Sequence, residues 1–202
     1  DIDETNENDK KHINLLSLIT MINGTDIESL GDLKKYEENL KNCPQTPDVL
    51  PDESEFFENK YETICDNITT TTLSPMTPDV LGEYFILQQW KGNRADACRI
   101  KLLTKIAWKW RPCGVTSFVS RLAMDFTEES SIVDSIVDLI MAEPGFNYQK
   151  SVLLSNLAKW NLDAKNAGKA INYFNSLYII WQIYNSEYKD ISFLFADLSR
   201  HF

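Results

Sequence analysis

From residue 78 to the end of the chain, apolar side chains recur mainly at spacings of three and four, the period of an amphipathic helix. The clearest case is Glu128 to Ala142, where Ile132, Val133, Ile136, Val137, Ile140 and Met141 form one stripe. Asp134 and Asp138 fall on the opposite face. Pro144-Gly145 ends that segment. Residues 151–162 and 164–185 then predict an antiparallel helix pair joined by a short turn, and a last helix is expected from about Asp190 to Leu198. Within the pair, the run Ile171 to Tyr184 is too apolar to be wholly exposed. Upstream, ADACRIKLLTKIAWKW reads as a helix ended by Arg111-Pro112, with another from about Thr116. The helix opening at Pro78 is expected to bury Val80, Leu81, Tyr84, Phe85 and Leu87 (or Gln88) on one side. Thr77 can cap it, Pro78 suits the first turn, and Asp79 favours its positive end.

The front of the chain is more mixed. Residues 1–11 are polar and acidic and read as a frayed tail or linker. A helix is expected over 12–22, stopped by Asn23-Gly24. Another is expected over 26–40, with Ile27, Leu30, Leu33, Tyr36 and Leu40 on one side. Prolines at 44, 47 and 51 mark a loop or chain reversal. Tyr61 to Cys65 and Ile68 to Thr72 carry the β-branched residues of two short strands around Asp66-Asn67. Helices followed by a small hairpin give the outline of a winged helix; an ordered loop beside a helical core is the alternative. The expected fold is mainly α and multi-helical, with a small winged-helix-like unit over 12–76 and antiparallel stacked helices over 77–202. TPDVL occurs at both 46–50 and 77–81. Pro51 follows the first copy and blocks a helix there, whereas Gly82 follows the second and lets one propagate. The copies are therefore not a structural repeat, and the second is the expected joint between the units.

Composition changes this picture in one respect. The formal charge of −10 is unevenly placed: residues 1–90 carry 19 acidic and six basic side chains, and residues 91–202 carry 11 acidic and 14 basic ones. The front half would repel nucleic acid; the back half could tolerate it. Cys43, Cys65, Cys98 and Cys113 form no C-x-x-C pair, and His12 and His201 lie near opposite ends, so no zinc site is indicated. Two sequons, at Asn23 and Asn67, and the even cysteine count would fit export, but reduced thiols in the cytoplasm are the expectation. No apolar run approaches membrane-spanning length, and no cofactor is implied.

Candidate chemistry is sparse. Asp79 and Glu83, four apart, could share a helical face for acid–base work or a metal; helix-end electrostatics explains Asp79 more cheaply. Cys113 could sit near a helix N-terminus and Arg111, which would favour a thiolate. His12 has no identifiable nucleophile or orienting partner. Lys101, Lys105 and Lys109 would share one helical face, interleaved with Trp108 and Trp110, a possible basic surface for nucleic acid, with Trp160 a further aromatic. No nucleophile–base–orienter set emerges, so the chain is not expected to be an enzyme.

The segment LSPMTPDVLGEYFILQQW resembles one in the signal-transducing P-loop ATPases of the NACHT and apoptotic-ATPase-like group. There, a phrase of this form opens a helix near the end of a helical and winged-helix arm. The matching residues are Pro78, Asp79, Val80, Leu81, Gly82, Glu83, Tyr84 and Phe85, and HINLLSLITMINGTDIESL is similar to the opening helix of such an arm. Residues 154–177 look partly like a tetratricopeptide repeat, through Leu154, Leu157, Ala158, Ala170 and Phe174, although Asn161 and Leu177 depart from the usual pattern. Antiparallel helices with small residues Ala158, Gly168 and Ala170 at close contacts would explain the same spacings. No G-x-x-x-x-G-K-[ST] is present. The resemblance implies a non-catalytic regulatory or protein-interaction part of a larger ATPase-like protein, partnered by another protein or by an upstream domain. The alternative is a nucleic-acid-binding winged-helix or helical module.

Overall fold

A computed structural model of the chain describes residues 7–40, 48–51, 72–77, 79–92, 94–145, 147–184 and 189–200. The described residues form nine α-helices, two short 3₁₀ turns and a two-stranded antiparallel ribbon, so the mainly α, multi-helical expectation holds. The chain divides into two compact units between Phe118 and Val119.

The first unit contains α1 (Glu7–Ile22), β1 (Thr25–Asp26), α2 (Leu30–Leu40), β2 (Thr72–Leu73), α3 (Asp79–Lys91), α4 (Arg94–Trp110) and the first half of α5 (Pro112–Asp125). Helix α4 packs on α1, α2 and α3, and α1 also meets α3. Their shared core includes Leu15, Ile19, Leu33, Ile86, Leu103 and Ile106, all essentially inaccessible. Helix α1 starts at Glu7, five residues before the expected helix start at 12. It stops where expected: Asn23 adopts φ 59° and Gly24 φ 86°, the Asn23 N–H reaches the Thr20 carbonyl at 3.3 Å, and the Gly24 N–H reaches that of Ile19 at 2.9 Å. This left-handed closure satisfies carbonyls that the last turn would otherwise orphan.

The outgoing strand β1 pairs with β2, Thr25 opposite Leu73 and Asp26 opposite Thr72. The expected hairpin over 61–72 lies, apart from Thr72, outside the described residues. Thr72 is in a strand, but its partner is Asp26.

Three expectations about this unit need correction. First, α3 does not bury Val80, Leu81 and Tyr84, which are 45%, 54% and 53% exposed. It buries Gly82, Glu83, Ile86 and Leu87, with Phe85 half-buried. Gly82 sets that phase: a Cβ there would lie 2.7 Å from Thr20 Cγ2, so the missing side chain lets α3 seat closely on α1. Second, Tyr36 of α2 is partly exposed while Glu37 is fully buried. The Glu37 carboxylate accepts the backbone N–H groups of Val49, in a short hydrogen bond, and of Leu50, at 3.4 Å. Lys34 lies 3.2 Å from it. Third, α5 begins at Pro112 rather than near Thr116, because proline at a first helical position loses no intrahelical bond. The early start brings Gly114 onto the end of α1.

The two TPDVL copies do differ as expected. Asp48 to Leu50 is non-helical with Val49 and Leu50 buried. Asp79 to Leu81 is helical with Val80 and Leu81 exposed. Asn14 Nδ2 donates to the Val49 carbonyl at 2.9 Å and Lys34 Nζ to that of Leu50 at 2.8 Å. The first copy is thus anchored on both its amide and its carbonyl sides. Helices α3 and α4 also group with α1 and α2, so the division into units falls past α4 and not at residue 76.

The second unit holds the rest of α5, then α6 (Ser130–Ala142), α7 (Tyr148–Asp163), α8 (Ala167–Tyr184) and α9 (Lys189–Ser199). Asn147 caps α7 by accepting the Gln149 N–H at 2.9 Å. A tight turn closed by Asn166 N–H to the Asn161 carbonyl, 2.7 Å, sends α8 back along α7. Leu154, Leu157, Ala158, Ala170 and Leu177 fill their interface, and α9 packs on both helices. Ala158 and Ala170 are the expected small contacts. Gly168 is not: it is exposed, and a Cβ there would meet nothing within 4 Å.

Candidate functional site

From Ala170 to Tyr184, α8 carries no charged residue. Its inner arc is accounted for by packing, with Ala170, Tyr173 and Leu177 buried. A second arc carries rings that meet α9. Phe195 of α9 lies 5.1 Å from Phe174, 5.5 Å from Tyr178 and 4.9 Å from Trp181, between ring centroids. The Trp181 indole N–H donates to Ser192 Oγ at 3.1 Å. Lys159 of α7 pairs with Asp197 of α9 beside this cluster.

The third arc is uncovered. Ile171, Ile179 and Ile183 are 45%, 56% and 61% exposed, and Asn172, Asn175, Ser176 and Gln182 are exposed between them. Phe193 of α9, 74% exposed, adds a further apolar group to the second unit's surface. A solvated helical face ordinarily carries charge. This one offers β-branched apolar side chains and neutral amides, which lose little on desolvation compared with charged groups.

One edge of this face is fixed by polar contacts to α6. Tyr173 donates its hydroxyl to Asp134 Oδ1 at 2.5 Å. Lys169 Nζ donates to Asp134 Oδ2 at 2.6 Å and to the Ser130 carbonyl at 3.3 Å. Burial raises the Tyr173 phenol well above its ordinary range, and the hydrogen bond and charge of Asp134, with the charge of Asp138, push the same way. Tyr173 is therefore a neutral donor, not a base. Asp134, which periodicity places on a solvent face, holds α6 and α8 together. Below it, Lys150 closes α6 by donating to the carbonyls of Glu143 at 2.5 Å, Gly145 at 3.2 Å and Met141 at 3.4 Å.

The residues singled out by sequence do not converge on a reaction centre. Asp79 is exposed while Glu83 is fully buried, so the two carboxylates do not share one accessible site. Among the described residues no group of His, Cys, Asp and Glu could hold a metal. Cys113 is exposed at the second position of α5, and His12 is buried in α1. Lys101 and Lys109 are exposed and Lys105 half-buried, a turn apart on α4. Of the interleaved aromatics, Trp108 is 3% exposed and packs inside. Trp110 stands edge-on to Tyr36 at 5.6 Å, and Trp160 is half-buried. In the family-like motif, Val80, Leu81 and Tyr84 form an exposed apolar patch and Gly82 the close contact. No described helix is long and apolar enough to cross a membrane. No protein-family model matches the chain, and neither a curated protein nor a solved structure matches it.

Proposed function

We propose that this chain is a non-catalytic protein-interaction region that docks a protein partner on the outer arc of α8. The observation that carries this reading is the exposure of Ile171, Ile179 and Ile183 on a helix without a charged residue from 170 to 184. Contiguous exposed apolar patches mark interaction sites, and these three isoleucines fall on one arc of the helix. The resemblance of Pro78 to Phe85 to the arm of NACHT and apoptotic-ATPase-like proteins extends the proposal: the chain acts as a regulatory part of a larger cytoplasmic ATPase-like protein. Its partner is then another protein or another domain of that parent. Affinity capture with the intact protein and with an Ile179→Asp, Ile183→Asp variant tests the docking claim. The reading expects a partner that the variant loses. Identical captures by both forms, with a strictly monomeric chain in light scattering, would remove it.

A further inference from the structure

Beside the uncovered arc of α8 lies a groove of about 300 Å³ between α6 and α8. Its floor is apolar, with Val137, Met141 and Leu154; Asn172 and Ser176, with Lys169 and Tyr173 at one end, form the α8 wall, and Asp134 and Asp138 the α6 wall. The volume sits at the lower limit of small-molecule pockets, roughly 300–1,000 Å³. It suits one inserted side chain better than an enclosed ligand. Ser176 on its wall is followed three residues later by Ile179, and Ile183 lies one turn further, so groove and apolar arc are neighbours on one helix surface.

The two carboxylates on the α6 wall are not equivalent. Asp134 already accepts from Lys169 and Tyr173. Asp138 is exposed and makes no ion pair among the described residues. The cation of this lining, Lys169, is already held by Asp134 and the Ser130 carbonyl, and α8 is uncharged from 170 to 184, so a second copy of this chain would bring no uncommitted cation to Asp138 through the same face. Resting on the interaction reading above, we infer that the occupant is an amphipathic helix whose apolar stripe covers Ile179 and Ile183, with one apolar side chain in the α6–α8 groove and a Lys or Arg reaching Asp138. This is the helix-in-groove mode, in which anchors one turn apart supply contact area and a flanking charge supplies selection.

A displayed library of randomised helical peptides, selected on the full chain and counter-selected on Ile179→Asp, tests this without presupposing charge. Ile179 is more than half exposed, so the variant keeps its fold; matching helicity by circular dichroism checks that, and Ile183→Asp serves as a second counter-target. Enriched peptides should show apolar residues at i, i+3 or i+4, and i+7, with Lys and Arg in excess over the input library. The best of them should bind Asp138→Asn about two- to fivefold more weakly, as for a solvent-accessible ion pair, and should weaken as salt is raised. Enrichment without a basic excess, or binding unchanged in Asp138→Asn, overturns the proposed occupant and leaves the docking surface standing. Failure to enrich any peptide over the counter-selected variants overturns both. A dimer in light scattering that Ile179→Asp abolishes would assign the face to a second copy instead.

Discussion

Replacing Gly114 with alanine would place a methyl group 2.5 Å from the Ile22 carbonyl oxygen, 2.8 Å from its carbonyl carbon and 2.9 Å from its Cα. All three atoms are backbone, at the end of α1, and they cannot rotate away. The same turn is held by Arg111, whose Nη1 donates to the Gly24 carbonyl at 3.1 Å. Relief therefore requires α1 or α5 to shift. Overpacking of this kind costs ~1–3 kcal/mol, while a mid-helix alanine recovers at most ~1 kcal/mol of propensity, and less in a first turn. The expected net loss for Gly114→Ala is about 1–2 kcal/mol. Two further glycines calibrate it. At Gly82 the new methyl meets a side-chain atom, Thr20 Cγ2. Thr20 can turn only by giving up the hydrogen bond it accepts from the Met76 N–H at 3.2 Å, so a loss of up to ~1 kcal/mol is expected after the propensity gain. At Gly168 nothing stands in the way, and alanine should stabilise by a few tenths to ~1 kcal/mol. Urea unfolding at fixed m-value, followed by tryptophan fluorescence, reads all three. A Gly114→Ala protein at least as stable as the Gly168→Ala one would refute the close approach of α5 to α1.

Other perturbations follow from the buried polar groups. Glu37→Gln puts an amide against the N–H groups of Val49 and Leu50 and removes the charge facing Lys34; a loss of about 3 kcal/mol in urea unfolding is expected. Lys150→Met leaves three carbonyls at the end of α6 without their donor and should cost about 1–3 kcal/mol, with faster amide exchange in the last turn of α6. Asp134→Asn should cost only about 1 kcal/mol, because both it and Lys169 are partly solvated and screened. Tyr173, with its folded-state value raised, contributes stability that is complete below the unfolded tyrosine value near ~10 and is lost as pH climbs toward the folded one. Alkaline difference spectra should accordingly show one late-ionising tyrosine that Tyr173→Phe removes.

The helical architecture was legible because periodicity and punctuation agree. Asn23-Gly24, Arg111-Pro112 and Pro144-Gly145 each end a helix for a local reason, and the α7–α8 pair follows from its short turn. Phase was less legible than period. On α3, an apolar count favours Val80, Leu81 and Tyr84 as the buried side, but the seat of Gly82 against Thr20 of α1 outweighs them, since such an approach depends on a missing Cβ and not on hydrophobicity. Periodicity places Asp134 on a solvent face, and nothing local marks Glu37 as buried, because a carboxylate serving distant backbone or side-chain donors carries no local signature. The candidate face was half visible: Ile171 to Tyr184 is plainly apolar, but only packing reveals which arc α7 and α9 leave open. The absence of charge from 170 to 184 was the available signal.

The most direct test places a photo-crosslinking amino acid at position 179 in the full chain expressed in cells, with the same group at Lys165, exposed in the α7–α8 turn, as the control. If the outer arc of α8 docks a partner, irradiation should give a discrete protein adduct from position 179 and none from position 165. No adduct at 179, or the same adducts from both positions, would contradict the docking surface.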